Sequence, residues 1–168
     1  IAASGGDNVS GGDVAKNKFV FDLMQNIAGV EVSAVGNHEL DATSYGFFEA
    51  VKDKNIKFVA TNVKLDKDNP LNQIIRKSLI QEKNGVKYAF VGAMPIDFES
   101  CTKKDAQKGI EVEDFDDTVE SLQEEIDKLK AQGINKIFLV SHVGYETDKK
   151  LAQALDGIDV IIGGHTHT

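Results

Sequence analysis

A chain of 168 residues is one domain's worth of polypeptide, long enough to bury roughly two thirds of its unfolded surface around a single core. Hydrophobic residues make up 41% and charged residues 27%, the balance of an ordinary globular domain, and no apolar run approaches the roughly 20 residues that span a bilayer. The formal charge of −8 argues against a nucleic-acid polymer as partner, so any phosphate chemistry here would draw its positive charge from metal ions.

The opening Ile1-Ala2-Ala3-Ser4 reads as the tail of a strand, and the chain stops at Thr168 directly after another strand–loop motif. Both ends predict a partial domain, residues 1–168, truncated on either side, because domain boundaries usually fall in polar linkers. Residues 14–28 carry Val14, Val20, Leu23, Met24 and Ile27 at helical spacing, with Gly29 where a C-terminal cap belongs. A period-two strand follows at 31–35, a helix at 43–54 and a strand at 57–61. Segments 74–81 and 86–93 flank Asn84-Gly85, a pair that tolerates positive φ, and predict an antiparallel hairpin with a type I′ turn. Asp117-Thr118-Val119-Glu120 has the spacing of a capping box, and Val119, Leu122, Ile126 and Leu129 form one apolar stripe that ends before Gly133. A strand at 135–141, a helix at 147–155 and a strand at 158–162 complete an alternating α/β pattern.

In open α/β sheets ligands bind beyond the carboxyl ends of parallel strands, where the connecting loops converge. Four loops meet that description. They carry Asp7 in Ser4-Gly5-Gly6-Asp7-Asn8, Asn37 and His38 in Gly36-Asn37-His38-Glu39, His142 in Val140-Ser141-His142-Val143-Gly144, and His165 with His167 in Gly163-Gly164-His165-Thr166-His167-Thr168. All four histidines of the chain are used. One aspartate, one asparagine and several imidazoles without a thiolate suit divalent Mn, Zn or Fe. Each residue also has a plainer role. Asp7 would serve equally as a turn residue capping backbone with its side chain, Asn37 as a left-handed turn residue, and Asp41 as the N-cap of the helix near Thr43. Tyr45, Phe47 and Phe48 fit a core better than a base-stacking site, Asn62 fits the closing of a turn, and Cys101, the sole cysteine, fits an inert thiol.

The order Gly-Asp, Gly-Asn-His-Glu-x-Asp, Ser-His-x-Gly and Gly-Gly-His-Thr-His resembles the calcineurin-like metallophosphoesterase superfamily. Within it the chain resembles the 5′-nucleotidase/2′,3′-cyclic-nucleotide phosphodiesterase branch. The resemblance implies a layered α/β fold with a mixed β-sheet and outer helices, and two divalent ions such as Mn or Zn. It implies that Asp7 bridges the ions, that Asn37, His142 and His165 complete one of them, and that His167 binds the other. His38 would act on the phosphoryl transition state or the leaving oxygen, with Asp41 orienting its ring. The implied reaction is hydrolysis of nucleoside 5′-monophosphates or 2′,3′-cyclic nucleotides by metal-activated water, in an extracytoplasmic location. The family's first motif, Asp-x-His, is absent from these residues, so the chain by itself is expected to hold one ion unless a further segment or a second copy completes the other site. The resemblance also implies a C-terminal domain that holds the base, which these 168 residues do not include. Sugar-nucleotide or sulfur-ester hydrolysis, and metal or nucleotide binding without turnover, are the alternatives.

Overall fold

The computed structural model describes all 168 residues. Strands β1 (Ala2–Ser4), β2 (Val30–Ala34), β3 (Lys57–Val59) and β5 (Ile75–Arg76) form a wholly parallel sheet in the order β1-β2-β3-β5. A second, mixed sheet runs β10 (Val160–Ile162), β9 (Ile137–Ser141), β7 (Val86–Ala93) and β6 (Ser78–Lys83), with only the β6–β7 pair antiparallel. A short antiparallel ribbon, β4 (Val63–Leu65) with β8 (Ile110–Val112), stands apart. Helices α1 (Val14–Asn26) and α2 (Thr43–Val51) belong with the first sheet. Helices α4 (Phe115–Ala131) and α5 (Tyr145–Ala154) belong with the second, and α3 (Phe98–Cys101) is a single turn. No helix is long and apolar enough to cross a membrane.

The two sheets face each other, because the strands of each bury both faces. Along β7, Ala89, Val91 and Ala93 pack with Leu122, Ile126 and Leu129 of α4, whereas the alternate Phe90 points at Val32, Ala34 and Val59 of the opposite sheet. On the far side Phe58 meets Phe21 of α1 and Phe47 of α2, ring centroids 5.8 and 5.0 Å away and edge to face. Each such buried side chain contributes roughly 1.5–3 kcal/mol of transfer free energy. The result is a four-layer α/β arrangement, helices outside and two sheets within, as the resemblance implies.

Several expectations are sharpened or overturned. The run 74–81 is not one hairpin arm: Ile75–Arg76 joins β3 in the parallel sheet, and after Lys77 the chain crosses to pair with β7. The hairpin turn itself holds, with Asn84 and Gly85 both at positive φ, 55° and 76°. The helix expected from Asp117 begins earlier, at Phe115, because Asp114, not Asp117, accepts the capping hydrogen bond, from Asp117 N. Asn62 does more than close a turn. Its side chain accepts from Met94 N at 2.8 Å and donates to Met94 O and Thr118 Oγ1, stitching the end of β3 to the second sheet. Phe47 is core, but Tyr45 is 68% exposed.

Candidate metal centre

Every candidate residue follows the carboxyl end of a parallel strand. Asp7 follows β1, Asn37 and His38 follow β2, His142 follows β9 and His165 follows β10, so the site straddles the two sheets where their edge strands meet. That meeting depends on glycine. A Cβ on Gly5 would lie 2.5 Å from the Gly163 carbonyl oxygen, and one on Gly36 would lie 2.2 Å from Asp7 Oδ1. The backbone is also strained here: Asp7, Thr43, His165 and His167 are non-glycine residues in the left-handed region, with φ of 53°, 65°, 82° and 53°.

Asp7, His142 and His165 come together, their ligand atoms all within 4.8 Å of one another. His142 is 1% exposed. Its Nδ1–H donates to the Gly5 carbonyl at 2.6 Å, which leaves Nε2 facing Asp7 Oδ2 at 2.9 Å. Nε2 has no hydrogen bond of good geometry, its polar neighbour being the Asp7 carboxylate. Asn37 Oδ1, also buried, is a second orphan. A buried acceptor without a donor is costly. Both atoms belong to predicted ligands, and His142 lies beside a carboxylate and a further imidazole, a donor set that fits a hard-to-borderline cation.

Electrostatics agree. Burial works against the Asp7 charge, yet His142 and the His38 N–H bring its carboxyl below the ordinary carboxylate value. Burial likewise works against protonating His142, and Asp7 with the Gly5 carbonyl raises it above an ordinary histidine. A cation would take the place of that proton. His165 stands with its ring centroid 5.0 Å from that of His142, and its Nε2 lies 3.6 Å from Asp97 Oδ1. His167 is exposed and stands outside the three-residue cluster, although it lines the same cleft of about 690 Å³ with Asp7, His142 and His165.

His38 lies at the start of a 3₁₀ turn, His38–Leu40, with its side chain 43% exposed. Its backbone N–H donates to Asp7 Oδ1 at 2.9 Å, and its ring Nδ1 lies 2.8 Å from Asp41 Oδ2, where it donates to the carboxylate. Asp41 is not the cap of α2, whose N-cap position is Ala42 and carries no side-chain cap. Asn37 is not left-handed either: at φ −70°, ψ −33° it is right-handed helical. Asp7 takes the plainer of its expected roles, standing at positive φ with its Oδ1 accepting from the His38 amide.

Sequence reasoning missed Glu39, which is fully buried. Its Oε2 accepts from Asp7 N at 2.9 Å and Gly36 N at 2.7 Å, and its Oε1 from Asn8 N at 2.6 Å and Asn8 Nδ2 at 3.0 Å. One carboxylate therefore ties the Asp7 loop to the Asn37–His38 turn. Burial pushes its carboxyl above the usual carboxylate range, and the three backbone N–H groups hold it down only in part. The available signal was its place in Gly-Asn-His-Glu, where an acid flanked by two site residues is unexplained by exposure. Asp148 was also missed. It accepts from Ser141 Oγ beside the His142 strand end, and burial lifts its carboxyl.

Comparison with known proteins gives one consistent result. The rat 5′-nucleotidase is 33% identical over 147 residues, 85% of this chain and 24% of that protein. Among solved structures, a 5′-nucleotidase precursor from Thermus thermophilus superposes with a TM-score of 0.86 at 27% identity, over 99% of this chain and 32% of its own. The Haemophilus influenzae NAD nucleotidase superposes with a TM-score of 0.83 at 28% identity, over 99% and 33%. The chain thus spans about a quarter of the length of the curated relatives it matches. The family model for the calcineurin-like phosphoesterases matches residues 3–168, nearly the whole chain, and with the four-layer fold and the strand-end site this places the chain in the calcineurin-like phosphoesterase family.

Proposed function

We propose that the protein hydrolyses small phosphate esters, most directly nucleoside 5′-monophosphates or 2′,3′-cyclic nucleotides, at the centre formed by Asp7, Asn37, His142 and His165. The observation that carries this reading is the Asp7–His142–His165 cluster, its ligand atoms within 4.8 Å of one another, together with the buried Asn37 Oδ1 that finds no partner. The nucleotidase relatives support the substrate class. Asp7, Asn37, His142 and His165 would hold one divalent ion, and Asp7 with His167 would contribute to a second, which needs ligands from a further segment or a second copy. Bound divalent ions, Mn or Zn by the chemistry of the donors, supply Lewis-acid charge and a water of lowered pKa.

The remaining chemistry belongs to this chain's own residues. His38, its side chain 43% exposed, would serve a leaving oxygen as the imidazolium: Asp41 accepts Nδ1–H and the proton transferred comes from Nε2–H. Gly5 does the corresponding task for His142 and keeps its Nε2 available. An extracytoplasmic location goes with the same reading.

The test is phosphate release from adenosine 5′-monophosphate and 2′,3′-cyclic adenosine monophosphate by the whole protein, with added Mn²⁺ and after chelation. Metal-dependent release that disappears in Asp7→Asn is expected. Release that survives exhaustive chelation, or an Asp7→Asn variant as active as wild type, would overturn the reading.

A further inference from the structure

Asn17 is a misfit on the inner face of α1. It is 2% exposed, one turn before the fully buried Phe21, on a helix face whose task is to pack against the first sheet. Asparagine is a poor helix former, and its buried Oδ1 has no partner. An apolar side chain would cover the same surface without an orphan. What asparagine adds is a donor: its Nδ2 lies 3.0 Å from the Gly11 carbonyl oxygen.

Gly11 is the hinge of the loop between β1 and α1, held at φ 87°, and its N–H donates to Asp41 Oδ2 at 2.7 Å. That is the oxygen that receives His38 Nδ1–H at 2.8 Å. The neighbouring Gly12 lies against the same segment, so close that a Cβ there would sit 3.2 Å from the Asp41 carbonyl oxygen. Three hydrogen bonds therefore run in series from α1 through the carbonyl and the N–H of Gly11, on either side of its Cα, and Asp41 to the imidazole. The ring makes no other hydrogen bond and is partly exposed, so its orientation depends on how firmly Asp41 is held.

We propose that Asn17 is a positioning residue for the His38–Asp41 pair: by holding the Gly11 carbonyl it restrains the loop at the Cα whose other peptide presents the Gly11 N–H to Asp41 Oδ2, and so sets the tautomer and direction of the His38 ring. The inference rests on the reading of His38 as the group that serves the leaving oxygen. It predicts a selective defect. As the imidazolium, held through Nδ1–H by Asp41, His38 gives its Nε2 proton to the leaving oxygen and is left as the neutral Nδ1–H tautomer; that donation matters for an alkoxide leaving group and little for a stabilised phenolate, which departs without help.

The experiment compares wild type with Asn17→Ala and with Asn17→Leu, which keeps the shape and removes the donor, in the whole metal-loaded protein. Hydrolysis of adenosine 5′-monophosphate is expected to fall about tenfold, part of the roughly 10²–10⁴ that a placed general acid provides, and hydrolysis of 4-nitrophenyl phosphate less than about twofold. Mn²⁺ affinity should not change. Independently of turnover, the ring ¹⁵N shifts of His38 in the Zn²⁺-loaded protein should move from a single Nδ1–H tautomer toward a mixture. Equal losses on the two substrates, or unchanged His38 ring shifts in both variants, would overturn the proposal. If wild type hydrolyses neither phosphate, the phosphoesterase reading fails, and the ring shifts alone then uphold or overturn the positioning role.

Discussion

Replacing Glu39 by glutamine isolates what one buried carboxylate does for the centre. The side chain keeps its size, but an amide offers one acceptor oxygen where the carboxylate offers two. Either Asp7 N with Gly36 N, or Asn8 N with Asn8 Nδ2, then faces an NH₂ group and loses its acceptor. Hydrogen bonds to a charged group contribute about 1.5–3 kcal/mol each, so two lost bonds amount to about 3–6 kcal/mol. Part of that is offset because a buried charge is no longer carried, in keeping with the raised Glu39 pKa. A net loss of about 2–4 kcal/mol in unfolding free energy is expected for the metal-free protein, measured by urea denaturation. The loop it anchors carries Asp7, so Mn²⁺ affinity by titration calorimetry should fall at least about tenfold, a change of about 1.4 kcal/mol. A variant within about 0.5 kcal/mol of wild type, the range of neutral surface changes, with unaltered Mn²⁺ affinity, would refute the argument that Glu39 joins the two loops.

Gly36→Ala should act through the same carboxylate neighbour, because the new Cβ would lie 2.2 Å from Asp7 Oδ1 and 2.7 Å from Asp7 N. Overpacking of this kind costs about 1–3 kcal/mol. Thermal melts with and without Mn²⁺ should show a lower midpoint and no metal-induced rise, and a wild-type rise would count against the close approach. Asp148→Asn should change stability with pH. Burial raises this acid above its ordinary 3.8, more than the Ser141 hydroxyl lowers it. The stability that goes with the protonated form is full below that value and is lost as pH rises through the folded-state pKa. The neutral asparagine should therefore melt about 2–4 °C higher than wild type at about pH 7, with the difference vanishing near pH 3, and an equal or opposite difference at both pH values would refute it.

The local pattern of residues already located the elements that carry the site. Short β-type runs ending at Ser4, Val35, Ser141 and Ile162 put Asp7, Asn37, His142 and His165 at strand ends, and the Val119-Leu122-Ile126-Leu129 stripe announced α4. The Asn84-Gly85 turn was equally plain, since positive φ at two successive positions has few sequence solutions. Helix starts were less clear, because Asp114 and Asp117 both carry a capping side chain and only the observed hydrogen bond decides between them. The division into two sheets was hidden altogether. Residues 74–81 look continuous in hydropathy, yet Ile75–Arg76 and Ser78–Lys83 find partners in different layers.

The site shows the same limit. Residue type and strand-end position marked the imidazoles, Asn37 and Asp7 as candidates. The contacts of Glu39 with Asp7 and Asn8, of Asn17 with Asp41 through Gly11, and of His142 with Gly5 exist only after the strands have packed. Periodicity reports which face of an element is buried and where the element stops, because those depend on neighbours a few residues away. The acceptor that a buried N–H finds from 30 or 137 residues away is set by how the two sheets meet, and no local pattern encodes that distance.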